Sequence, residues 1–165
     1  VQRATSFGMR HIRALAVIAL IIALHAELWG GESVRVLVGN RPLLIPLALA
    51  LMVSVALHEL LHVAGYVWVG GAPMEAVHVE WRGAAIVARC EVPLPAWSYR
   101  VAVALPGLVL GVLPALLGLT IGVAWLTVYG AVMAGASAGD VAVLWALRRY
   151  GAEEKVEDRS GRGRR

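Results

Sequence analysis

Residues 58–62 read His58-Glu59-Leu60-Leu61-His62, two imidazoles four positions apart with a carboxylate beside the first. On an α-helix the i, i+4 spacing stacks both rings on one face about 6 Å apart, so they can bind one zinc ion together. Glu59 lies roughly 100° round the helix from His58 and can reach a water on the metal without ligating it, where a general base must stand. Zinc brings the pKa of such a water to about 7 and polarises a carbonyl under attack. The motif also arises by chance, and its surroundings decide how much it says. Here it interrupts a long apolar run. Each ionisable group at bilayer depth costs on the order of 2.5 kcal/mol or more, so two histidines and a glutamate placed this close together need a compensating partner.

A catalytic zinc site has three protein ligands and an open position. Lone Cys90 provides no thiolate cluster, so imidazole and carboxylate must serve. Asp140 is the candidate third ligand: it is the only acidic residue between Glu91 and Glu153 and sits in the apolar sequence Ser137-Ala138-Gly139-Asp140. His62 precedes Gly70, and Asp140 precedes Arg148, by the same interval. At a rise of about 1.5 Å per residue both lie ~12 Å below one membrane face. The competing reading of Asp140 is a carboxylate at a helix cap or kink. His25 sits near the far end of the first apolar run, and His78 lies in a segment of strand-like alternation; each is a weaker ligand candidate.

The elements that must hold these residues are set by composition. Of 165 residues 59% are hydrophobic and only 16% charged, with mean hydropathy +0.73, a membrane protein's balance. The net charge of +4 does not indicate nucleic acid, because the basic residues flank apolar runs, as topology signals do. Apolar runs cover Ala14–Trp29, Leu43–Gly70, Tyr99–Leu119 and Ile121–Leu147, with a turn expected at Gly118–Gly122. The first reads as a span rather than a signal peptide, since no small-residue cleavage pattern follows Trp29. Between the second and third runs, Ala76–Val92 alternates: Val77, Val79 and Trp81 on one side, His78 and Glu80 on the other, with a turn at Arg82-Gly83. The fold class expected is an all-α polytopic membrane protein of about four transmembrane helices, with a membrane-associated β-hairpin between helices two and three. Residues 1–150 form the expected single transmembrane domain, and 151–165 a charged, disordered tail. The arginines concentrate at both ends, which puts both termini in the cytoplasm and the protein in the cell membrane.

On His58-Glu59-Leu60-Leu61-His62 and Gly139-Asp140, with the order of apolar runs from about Leu43 to Arg149, the chain resembles the site-2-protease type of intramembrane metalloprotease. It is more closely similar to a group of small zincin-type membrane peptidases with a late Gly-Asp. The resemblance implies that His58, His62 and Asp140 are ligands of Zn2+, that Glu59 is the base, and that the hairpin holds an extended substrate. Site-2 proteases carry an Asn and a Pro before the ligand Asp, whereas this chain has Tyr129 to Ser137 there. Ser137 or a backbone N–H beside the glycines would then have to serve as oxyanion donor. The function expected is zinc-dependent hydrolysis of peptide bonds in membrane-spanning proteins or peptides, with the lipid bilayer as the other partner and no nucleic acid. The alternative is a zinc-binding membrane protein without peptidase activity. A transporter would need a further acidic or histidine pair for a relay, and a di-iron oxygenase more than the five histidines present.

Overall fold

The computed structural model describes residues 2–82 and 85–157; the side chains of 2–10, 82 and 85 lie outside that description. Helices α1 (Gln2–Trp29), α2 (Gly31–Gly39) and α3 (Arg41–Ala64) come first, and a π-helical turn, Gly65–Val69, continues α3. Strands β1 (Val77–Arg82) and β2 (Ala85–Cys90) follow, then β3 (Leu94–Pro95) and α4 (Ala96–Pro106). A second π-helical stretch, Gly107–Val112, leads into α5 (Leu113–Ile121), and the chain closes with α6 (Ala124–Ala136), α7 (Ala138–Leu147) and β4 (Lys155–Val156).

Among the described residues, three helices are long and apolar enough to cross a membrane: His11–Trp29, Arg41–Val69 and Ala96–Ile121. The fourth expected span is not one straight helix. It breaks at Ser137 into α6 and α7, bent by 49°, so the number of spans is three, or four if the bent pair counts as one. Large apolar side chains along the spans face outward, Leu20 70% and Met52 71% exposed, which fits hydrocarbon as solvent and not water. The turn expected at Gly118–Gly122 falls at the end of that stretch: α5 runs on to Ile121, and Gly122, whose φ of 74° is left-handed, caps it by donating its N–H to the Gly118 carbonyl. Helix α2 was not expected; it fills the connection between the first two apolar runs.

The chain divides into two compact units. The first holds residues 1–55 and 107–140. Its helices approach through small residues: a Cβ on Gly130 would overlap the Ala115 backbone, and one on Gly135 would overlap Ile18. The small-residue face of α6 is therefore spent on α5 and α1. Hydroxyls tie the apolar helices together, as close helix packing in lipid favours. Fully buried His25 has Nδ1 2.9 Å from Thr127 Oγ1 and Nε2 3.2 Å from Ser33 Oγ, and the Ser54 and Tyr129 hydroxyls lie 2.6 Å apart.

The second unit holds residues 56–106 and 141–165. The expected hairpin is present, β1 and β2 pairing antiparallel with Val79 opposite Ala88 and Trp81 opposite Ile86; Gly83 of the expected turn lies outside the described residues. Its inner end enters the unit's core, where Ala88 and Cys90 cluster with Tyr66, Leu94, Tyr99, Ala102, Val103 and Leu147. The first part of the charged tail is tied back into this unit: Leu94 pairs with Val156 and Pro95 with Lys155, and the Ala96 N–H donates to the Glu154 carbonyl. Arg100 donates to the Leu147 carbonyl at 2.7 Å, which also accepts from the Tyr150 N–H at 3.1 Å where α7 ends. Residues 158–165 of that tail lie outside the described residues.

Candidate metal centre

The motif His58-Glu59-Leu60-Leu61-His62 occupies the C-terminal turns of α3, a helix rich in Leu and Ala, which favour that conformation. The helix sets His58 and His62 one turn apart with ring centroids 4.9 Å apart at 81°. Tyr66 continues the same face, its ring 6.3 Å from that of His62 and nearly parallel at 19°, and Tyr99 of α4 packs on Tyr66 at 5.4 Å. His62 is buried and His58 half-buried. A column of rings thus holds the motif from below.

His62 Nδ1 lies 3.0 Å from the carbonyl oxygen of Ala102. A carbonyl only accepts, so Nδ1 carries the proton and Nε2 keeps its lone pair for a metal. The sequence supplies the reason that carbonyl is open. In an α-helix it would accept from the N–H four residues on, and that residue is Pro106, which has none. Gly65 supplies the approach: a Cβ there would fall 2.5 Å from the Ala102 Cα, so only glycine lets α4 come this near.

Glu59 is half-buried and accepts a hydrogen bond at Oε2 from the Ala88 N–H of β2, 2.7 Å away. Asp140 stands in the first turn of α7. Potential ligand atoms of His58, His62 and Asp140 all lie within 4.8 Å of one another. Two imidazoles and one carboxylate are a donor set that zinc accepts with a coordination position left open, so these residues fit that ion.

The other candidates go elsewhere. His25 is engaged by Thr127 and Ser33 in the first unit. His78 lies 3.6 Å from Glu91 across the hairpin, both side chains largely exposed. Ser137 Oγ donates to the Met133 carbonyl at 3.1 Å, so its proton is already committed within the helix. Sequence reasoning missed the Ala102 carbonyl and the Ala88 amide. Pro106, four residues after Ala102, was a readable signal for the first, whereas a backbone N–H leaves no mark in the sequence.

Against known families, residues 51–154 match the model described as "Putative zincin peptidase". The match covers more than half of the chain and contains the histidine motif and Asp140. This chain belongs to that family. No curated protein and no solved structure matches it. Membership in the zincin peptidase family implies a zinc metallopeptidase, and the candidate spans make this member a membrane protein.

Proposed function

We propose that this zincin-family protein is an intramembrane zinc endopeptidase acting on membrane-embedded segments of proteins or peptides. The observation that carries the reading is the convergence of His58, His62 and Asp140, with Glu59 next to His58 in the chain, on apolar helices: α3 belongs to a candidate span and α7 to the bent pair. His58 and His62 would hold the ion through one ring nitrogen each, His62 in the orientation set by its bond to Ala102, and Asp140 would be the third ligand. A zinc ion bound there would supply Lewis acidity toward the substrate carbonyl and toward water. Glu59 takes the proton from the attacking water and passes it to the leaving amine. A helical substrate hides its carbonyls in hydrogen bonds and must unwind before attack. The hairpin edge can hold such an unwound segment by strand addition. Exposed Trp68, Trp81, Trp97 and Trp145 suit the membrane–water boundary, where indoles concentrate.

The test is purified protein with zinc in lipid vesicles, offered a panel of transmembrane peptides. Cleavage that disappears in Glu59→Gln at unchanged zinc content is the expected result. Full zinc occupancy without cleavage of any peptide would favour a second reading, a zinc-binding membrane protein that has lost peptidase chemistry. The commitment of the Ser137 hydroxyl to Met133 supports that second reading, because it removes one side-chain donor for an oxyanion.

A further inference from the structure

We infer that the backbone N–H of Ala88 is the positioning donor for Glu59, which makes β2 of the hairpin part of the machinery that orients the general base. The inference rests on the proposed role of Glu59, and it starts from strand register. The Glu91 N–H donates to the Ala76 carbonyl, so that facing pair is hydrogen-bonded. Counting back, Arg89 with His78 and Val87 with Glu80 are the ladder pairs of the hairpin, while Ala88 with Val79 and Ile86 with Trp81 are the alternate pairs. Residues in alternate pairs turn their N–H groups to the outer edges of the ribbon.

An outward amide on a buried residue needs an acceptor, and Ala88 is only 6% exposed. Glu59 Oε2 is that acceptor, and 2.7 Å is the short separation of a bond to a charged group. One carboxylate oxygen is thereby tethered and the other remains to take a proton. A glutamate has three side-chain torsions, and a base that samples them freely spends little time aimed at its water. The donor itself is well fixed: Cys90, two residues on, is 1% exposed in the core, and Arg89 holds Glu80 across the ribbon at 2.8 Å.

The test uses the full chain in lipid with residue 88 changed from amide to ester, which replaces the N–H by oxygen and keeps the side chain. The same exchange at Ile86 removes another outward N–H of the same edge and serves as control. Expected is a roughly 10- to 100-fold fall in kcat for the residue-88 ester, with KM and zinc content unchanged and the Ile86 ester close to the parent. Hydrogen exchange gives a readout that needs no turnover. In Glu59→Ala the Ala88 amide should lose at least tenfold protection while Val87 and Arg89 keep theirs, and Glu59→Gln, which still accepts, should retain it. Parent-like kcat in the residue-88 ester, or unchanged Ala88 protection in Glu59→Ala, would overturn the inference. Should the parent cleave nothing while the exchange pattern holds, the tether stands and the proteolytic reading fails.

Discussion

His62 presents a metal-ready nitrogen because a proline four residues beyond Ala102 leaves a carbonyl open, so the two substitutions Pro106→Ala and His62→Ala should differ in kind. Pro106→Ala restores an N–H that competes for the Ala102 carbonyl. Loss of such an outer partner weakens metal binding by roughly 10- to 100-fold, measurable by zinc competition with a chelating dye. His62→Ala removes a ligand and should leave no competitive binding in the same assay. An affinity for Pro106→Ala equal to the parent's would mean that the Ala102 bond does not tune the ligand. Glu59→Gln belongs to a third kind: zinc affinity near the parent's, and cleavage down by about 10²- to 10⁴-fold, the range that general bases supply. At this scale the sequence was legible where side chains carry the chemistry. The histidine spacing and the isolated carboxylate of Asp140 stand out in an apolar chain because lipid makes each of them costly. The Ala88 N–H did not stand out, since every residue but proline has one and only tertiary structure selects which of them matter, whereas Pro106 marks the Ala102 C=O as open without saying what it meets.

Among the elements, the pairing of α3 with α4 depends on Gly65. A methyl group there would fall 2.5 Å from Ala102 Cα and 2.7 Å from its Cβ, and backbone cannot yield as a flexible side-chain end can. Gly65→Ala should therefore cost about 1–3 kcal/mol as overpacking, read as a lower midpoint of thermal unfolding in detergent, and should weaken zinc binding because the His62–Ala102 contact opens. Unchanged stability and zinc affinity would show that the helices have room to part. The hairpin was legible because alternation of period two contrasts with the continuous apolar runs around it. The break at Ser137 was legible only through Asp140, whose competing reading was a carboxylate at a helix kink and which stands in the first turn after the bend; no proline marks the helix end. The two π-helical stretches were hidden. Each begins at a glycine within an apolar run, and their extra residue per turn is chosen by packing against neighbours.

For the whole molecule the open quantity is the number of crossings, three or four, and the bent pair α6–α7 decides it. As a re-entrant loop the pair would enter and leave by one face, and the termini would lie on opposite sides. As a broken span it crosses, and the termini share a side. Length permits a crossing: the pair holds 13 and 10 helical residues, about 35 Å of rise in all, and sharing the 49° bend as roughly equal tilts leaves ~31 Å along the membrane normal, against a hydrocarbon core of about 30 Å. Charge favours it as well. Arg3, Arg10 and Arg13 precede α1's apolar stretch and Arg148 and Arg149 follow α7, while the connection between the first two spans holds only Arg41 and Arg35, the latter in an ion pair of 3.2 Å with Glu32. The same rule would retain arginines at both ends on the cytoplasmic side, which only an even number of crossings allows. Single cysteines placed at each end of a Cys90→Ala chain should then both resist a membrane-impermeant maleimide in right-side-out vesicles and both react once the vesicles are opened. Labelling of one end alone in sealed vesicles would make α6–α7 a re-entrant element, and Asp140 would then reach its depth from the same face by which the chain returns.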